Sequence, residues 1–205
     1  MKEKIVLKSM HPELYGDLEI ECTVIENDKI GEYLANIPEE RKFIGYKNAS
    51  VSARKGIPGE VVKTTLKTIV DGKEYILSEE ENIVKIRPYK KDGKEINEPD
   101  VVVTNIDSTS NEVYVVKHQK FVETYDIVAE STEPRFSPVC DPRVLTQVNE
   151  NIIIITAWGS KAVCLKGGYI VTYNAESNDY NVIEQGAVNS TYTMENITSK
   201  TKSKK

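Results

Sequence analysis

Ser110-Asn111-Glu112-Val113-Tyr114-Val115-Val116, running on to Thr124-Tyr125, and Ser177-Asn178-Asp179-Tyr180-Asn181-Val182-Ile183, running on to Thr191-Tyr192, are two versions of one stretch, 67 residues apart and without a gap. The aligned blocks share Ser, Asn, Val, Thr and Tyr, with Glu/Asp and Val/Ile exchanges between them. The residues upstream agree. Pro99-Asp100-Val101-Val102-Val103-Thr104 leads into one block and Gly167-Gly168-Tyr169-Ile170-Val171-Thr172 into the other, each a turn, three apolar β-formers and a threonine. This shared order of turn, strand, second strand and closing Thr-Tyr predicts two copies of one small unit. The repeated residues are those of strands and turns, so the repeat speaks to architecture and not to a reaction.

Outward from the repeat, most periodic segments read as strands. Leu18-Glu19-Ile20-Glu21-Cys22-Thr23-Val24 alternates apolar and polar residues as a half-buried strand does, and Ile152 to Thr156 is rich in β-branched residues. Asp71-Gly72, Asp92-Gly93, Glu98-Pro99-Asp100 and Gly167-Gly168 punctuate them as turns. Helix is sparse. One begins near Asp28, with Ile30, Tyr33, Leu34 and Ile37 at helical spacing and Pro38 as its stop. Another spans Lys117 to Thr124, where Phe121 and Tyr125 stand four apart, as Val188 and Tyr192 do in the other copy. Glu130 to Pro138 is polar with two prolines and reads as a linker. The expected fold is α+β and predominantly β: an N-terminal strand-helix extension (1–48), two similar β-rich units (49–130 and 131–197) and a disordered Lys-rich tail (198–205).

A chain of 205 residues with 39% hydrophobic and 29% charged side chains has material for a packed core without staples. The net charge of −5 lacks the basic footprint of a duplex-binding domain, so nucleic acid is not the expected partner. Cys22, Cys140 and Cys164 are odd in number and far apart, which fits neither a disulfide framework nor a zinc site and suits a reducing cytoplasm. The N-terminus has an apolar run of only three residues, Ile5 to Leu7, too short for a signal peptide. No stretch approaches the length of a membrane span, so a membrane is not expected either.

The run Val163-Cys164-Leu165-Lys166-Gly167-Gly168-Tyr169-Ile170-Val171, with Asn178 to Ile183 and Thr191-Tyr192 behind it, resembles the small phage and prophage proteins of the PGDYG type. Those proteins carry a Pro-Gly-Asp-Tyr turn and strand, a second strand ending in Val-Ile, and a terminal Phe-x-x-x-Tyr or Thr-Tyr. The first copy is similar at Glu98 to Thr104 and at Phe121-Val122-Glu123-Thr124-Tyr125. Lys166 stands in place of the motif Pro, Gly168 in place of its Asp, and Val188 in place of its Phe, while the first copy lacks the motif Gly. The resemblance covers about half the chain. It implies an origin in a phage or mobile element and carries no activity with it.

Catalytic chemistry finds little purchase. His11 and His118 are the only histidines, and neither lies in a nucleophile-and-base signature with Ser or Cys. Two histidines and no paired cysteines leave no metal site to name, and Glu79-Glu80-Glu81 reads as a solvated run. No catalytic residue, metal or cofactor is expected. For ligand binding, Arg54-Lys55-Gly56-Ile57-Pro58-Gly59-Glu60 is the best candidate: its first reading is a plain tight turn set by Pro58 and Gly59, and backbone amides beside Arg54 and Lys55 also suit an anion. Trp158, followed by Gly159 and Lys161, reads first as closing one end of a sandwich core, and its composition also suits stacking on a planar ligand or anchoring a partner.

The functional expectation is a non-enzymatic, cytoplasmic binding or interaction protein of phage or prophage type. It would sequester a small, nucleotide-like ligand or dock on a host or phage protein, with counter-defence as one outcome. Alternatives are an enzyme using carboxylates and Lys/Arg on nucleotides, and a minor virion or assembly component. A small-molecule ligand or a protein is the expected partner, and oligomers are compatible with every reading.

Overall fold

The computed structural model describes residues 1–106, 112–128, 134–157, 159–176 and 178–197. Strands β1 (Lys2–Ser9) and β2 (Leu18–Ile25) form a hairpin, and a 3-10 turn over Asn27–Lys29 leads into α1 (Ile30–Ala35), which stops ahead of Pro38. Next come β3 (Lys42–Lys47), β4 (Val51–Lys55), the long pair β5 (Val61–Val70) and β6 (Lys73–Ile83), and the short pair β7 (Tyr89–Lys91) and β8 (Lys94–Ile96). The first repeat block is β9 (Val101–Asn105), β10 (Val113–Val116), α2 (His118–Thr124) and β11 (Tyr125–Ile127). After β12 (Arg135–Pro138), β13 (Arg143–Gln147), β14 (Ile152–Ile155) and β15 (Lys161–Cys164), the second block follows as β16 (Tyr169–Asn174), β17 (Asp179–Ile183), α3 (Gln185–Thr191) and β18 (Tyr192–Asn196). The protein is α+β and predominantly β. At Asp71-Gly72 and Asp92-Gly93 both residues have left-handed φ, 50° and 73° in one and 50° and 75° in the other, the geometry of two-residue hairpin turns.

The two blocks have one geometry. Each short helix buries the same two positions, Phe121 and Thr124 in α2, Val188 and Thr191 in α3. Each threonine hydroxyl donates to the carbonyl four residues back, Thr124 to Lys120 (2.8 Å) and Thr191 to Ala187 (2.6 Å). Each helix stops because the following tyrosine turns extended, Tyr125 at φ −134° and ψ 142°, Tyr192 at −133° and 140°. Both tyrosines are buried against matching clusters: Val101, Val103 and Phe121 around Tyr125, Tyr169, Val171 and Val188 around Tyr192. The offset is 67 from β10 onward and 68 across β9, because Val116 pairs with Val101 where Ile183 pairs with Tyr169.

Sheet order extends the likeness to strands whose sequences show no similarity. Five strands run β10-β9-β4-β12-β11 in one sheet and β17-β16-β13-β3-β18 in the other. Ser52 faces Thr104 as Val144 faces Thr172, so β4 and β13 are counterparts. Their continuations agree too: the Gly56 N–H donates to Asp100 C=O, and the Val148 N–H to Gly168 C=O, each at 2.9 Å. β12 lies beside β4 as β3 lies beside β13. Chain order and sheet order are crossed, however: β3 runs directly into β4 yet pairs with β13, and β12 runs directly into β13 yet pairs with β4. Each repeat thus lends its first strand to the sheet of the other.

This exchange explains why the compact units are discontinuous. Unit 1 comprises Met1–Tyr46, Lys67–Leu77 and Pro142–Lys205, and unit 2 comprises Lys47–Leu66 and Ser78–Asp141. They are not the consecutive stretches 1–48, 49–130 and 131–197. Residues 1–46 are no appendage, because Ile25 and Ile30 share the largest core of unit 1 with Ile152, Ile154, Ile170 and Tyr180. The expected linker corresponds in part to β12, an internal strand between β4 and β11. Pro134 precedes that strand and Pro138 ends it, where a missing N–H breaks little of the ladder. The tail 198–205 lies outside the described residues.

Candidate functional site

Arg54 is a strand residue. In β4, Val51 and Ala53 point to the α2 side of the sheet, with Val51 fully buried, while Ser52 and Arg54 alternate to the opposite face. The segment beyond it is a built turn: Glu60 N–H donates to Ile57 C=O (2.8 Å), and Gly59 takes φ +87° after Pro58. All four N–H groups from Gly56 to Glu60 are already donated, Gly56 to Asp100 C=O, Gly59 to Val84 C=O, Ile57 to the Glu60 carboxylate (3.1 Å) and Glu60 to Ile57 C=O. The two cations are engaged as well. Arg54 grips Glu60 through both terminal nitrogens, and Lys55 Nζ stands 2.9 Å from Glu98 Oε2. The Arg54 hydrogen bonds, with the Ile57 N–H behind them, hold the Glu60 carboxyl down to about 2. An anion at this loop would therefore meet the outer edges of Arg54 and Lys55 and not a cradle of free amides.

The outer face of β4 and β9 opens beside that pair. A shallow trough of about 230 Å³ is lined by Ser52, Arg54, Val102, Thr104 and Pro134, with the Ala53 backbone strand as part of its wall. Its floor is apolar, since Val102 belongs to a cluster with Val62 and Val84. Its rim offers two hydroxyls and a guanidinium. The strand period places Ser52 and Arg54 together, a pairing hidden when Arg54 is read as part of a loop. Ser52, Val102 and Thr104 had no signal of their own, because they become neighbours only through the β4–β9 register.

A second polar group lies on the α2 side of unit 2. The Lys47 ammonium donates to the Tyr125 hydroxyl, which stands 3.4 Å from the Tyr114 hydroxyl. Tyr114 donates to Asn105 Oδ1 (3.3 Å), and Asn105 Nδ2 to the Glu112 carboxylate (3.3 Å). Burial pushes the Glu112 carboxyl up. Each member has a partner within the chain, so this is a satisfied network that ties β9, β10 and β11 together.

The remaining candidates are dispersed. Gly59 serves the turn already described, and Lys161, at the start of β15 in unit 1, donates to both carboxylate oxygens of Glu3 at 2.7 Å. Trp158 lies outside the described residues. His118 meets the Tyr89 hydroxyl at 2.9 Å, and His11 meets Glu74 at 3.0 Å. Cys22 and Cys164 are buried, which pushes their thiols up and away from nucleophilic use. Among the described residues no group of three His, Cys, Asp or Glu side chains converges. None of their helices is long and apolar enough to cross a membrane. No protein-family model, curated protein or solved structure matches this chain.

Proposed function

We propose that the chain is a non-enzymatic binding protein whose recognition surface is the β4–β9 trough of unit 2. The observation that carries this reading is a difference between duplicates. In unit 1 Ile170, the counterpart of Val102, is fully buried in a cluster with Ile25 and Ile30, and Thr146, the counterpart of Arg54, is 2% exposed. In unit 2 Val102 is buried as well, under Val62 and Val84, but the Arg54 side chain beside it is 54% exposed at the rim of a trough. Two copies of one sheet, one with a buried threonine and the other with an exposed cation beside two hydroxyls at the matching place, suit a division between framework and recognition. The resemblance to PGDYG-type proteins supports a phage or prophage setting, with a cytoplasmic protein that sequesters a small ligand or docks on a host or phage protein.

Native mass spectrometry on protein taken from producing cells, followed by amide shift mapping of whatever co-purifies, tests the reading. Perturbation at Ser52, Arg54 and Thr104, with Val144, Thr146 and Thr172 unmoved, is the expected result. A ligand that maps elsewhere in either unit would overturn it.

A further inference from the structure

We infer that the two-stranded arm β7–β8 of unit 2 is a docking surface for a short acidic segment of a partner protein, separate from the trough. The duplication isolates this arm. In chain order β5, β6 and β9 correspond to β14, β15 and β16, and in unit 1 the step from β15 to β16 takes only residues 165–168. The same step in unit 2 takes residues 84–100 and is built into a ribbon, with Ile86 opposite Pro99, Tyr89 opposite Ile96, Lys90 opposite Glu95 and Lys91 opposite Lys94. Connections of this kind, set on a shared framework, are where recognition is added. The base of the ribbon is fixed: the buried Asp100 carboxylate accepts from the Lys85 N–H (3.0 Å) and from Arg87 Nε (3.1 Å), while the Asp100 N–H donates to Lys85 C=O (2.9 Å). Halfway along, the Tyr89 hydroxyl meets His118 Nδ1 at 2.9 Å and ties the ribbon to α2.

The arm carries cations that the chain leaves unpaired. In the β1–β2 hairpin of unit 1, Lys2 stands on Glu21 and Lys4 on Glu19, both at 2.7 Å. On the arm Lys85, Lys90, Lys91 and Lys94, with Lys117 next to His118, are exposed and make no ion pair among the described residues. The arm's own acids are engaged elsewhere, Asp100 with Arg87, Glu98 with Lys55 (2.9 Å) and Glu95 with the Asn97 amide (3.1 Å), which leaves Asp92 at the tip. Lys91 and Lys94 stand directly opposite each other across the Asp92-Gly93 turn, a like-charge pair that is unfavourable in an unbound ribbon. A carboxylate-bearing segment laid along the arm complements all of these charges together. The surroundings select among anions. The net charge of −5 repels a long polyanion beyond the arm, and the two rings that could stack on bases, Tyr89 and His118, face each other with centroids 5.8 Å apart. A short acidic peptide meets neither obstacle.

The probe is a synthetic peptide of about eight alternating Glu and Ser residues, enough to run the length of the arm, titrated into the intact 15N-labelled protein. The expected result is saturable amide shifts at Lys90, Lys91, Gly93, Lys94 and Lys117, weakening as salt is raised past about 0.15 M. Lys91→Glu combined with Lys94→Glu should weaken binding at least about tenfold and leave the thermal transition in place, since both side chains are exposed. Lys90→Gln with Lys94→Gln is the second variant if the reversal does not fold. Lys8→Glu with Lys166→Glu makes the same change of charge on exposed residues of unit 1 and should leave the affinity as it was. Equal weakening by that control would reduce the effect to net charge and overturn the inference. So would an absence of shifts, or tighter binding of an oligothymidylate of the same length, which would make the arm a nucleic-acid surface. A salt-sensitive dimer in light scattering, dissolved by the reversal, would make the partner a second copy and overturn it as well. Shifts at Ser52, Arg54 and Thr104 instead would move the peptide to the trough, so that the arm fails and the binding reading above stands.

Discussion

Gly45 in β3 and Phe136 in β12 hold the same place in the two sheets, and the residues beside them have changed size in the opposite sense. Gly45 pairs with Arg143 and lies over Leu145, and Phe136 pairs with Val51 and packs on the cluster that contains Ala53. A β-carbon at Gly45 would stand 2.2 Å from Leu145 Cδ1 and 3.1 Å from Tyr192 Cδ1. The volume absent from β3 is supplied by Leu145, and the volume absent from Ala53 is supplied by the Phe136 ring, 5.0 Å from that of Phe121. The two similar cores are thus filled from different strands.

Gly45→Ala should therefore destabilise the protein by about 1–3 kcal/mol through overpacking, and Leu145→Ala by about 2–5 kcal/mol through the cavity it leaves. The double variant should be less damaged than the sum, because the alanine methyl occupies space that the leucine has vacated. Urea unfolding of all four proteins measures the coupling. Strict additivity would show that Leu145 does not occupy the place from which Gly45 is excluded.

The hydroxyl of Tyr125 accepts from Lys47 beneath a ring that also faces the same ammonium, 4.8 Å from its centroid. Tyr125→Phe removes the hydrogen bond and keeps the ring contact, so a loss of about 1 kcal/mol is expected. Lys47→Met should then cost less in the Tyr125→Phe background than in the parent. Equal losses in both backgrounds would place the role of Lys47 elsewhere.

Much of the fold was legible in the residues. The alternation of Leu18 to Val24, the β-branched run at Ile152, the Asp-Gly turns and the closing Thr-Tyr of each block all mark local structure through local chemistry. The exchange of β3 and β12 was not legible, because a strand's partner is set by register and not by its own sequence. Gly45 and Phe136 show why: the positions correspond, yet compensation has removed every trace of identity between them. The trough was hidden for the same reason. Arg54 drew attention by its charge, whereas Ser52 and Thr104 acquire meaning only as cross-strand neighbours.

Glu184 is a half-buried carboxyl just ahead of α3, where it accepts from the Thr68 hydroxyl (3.0 Å) and the Leu165 N–H (3.4 Å). Burial raises its folded-state pKa above the ordinary 4.5. Below that value both states hold the proton and nothing is lost. As pH rises past it the unfolded chain ionises first, so stability falls until the folded carboxyl also ionises. Glu184→Gln keeps an acceptor for Leu165 and offers Thr68 an amide donor. It should match the parent under acid conditions and exceed it near neutrality, with a flatter pH profile in urea titrations. A variant less stable than the parent at neutral pH would show that the ionised carboxylate is welcome there.

Glu60 presents the opposite sign. Its carboxyl is held at about 2 against an ordinary 4.5 by the Arg54 guanidinium and the Ile57 N–H. The stabilisation it brings is fully present above 4.5 and is lost as pH falls toward 2, because the unfolded chain takes up the proton first. Carboxyl carbon shifts of Glu60 should titrate near 2 in the parent and return toward 4.5 in Arg54→Met, which retains the stem over the trough wall and removes the charge. The same variant frees Glu60 from its partner on the trough rim, so a loosened turn should appear as faster amide exchange at Gly56, Ile57 and Gly59. A Glu60 midpoint that does not move in Arg54→Met would show that the turn's own N–H groups, and not the guanidinium, hold the carboxylate at the rim.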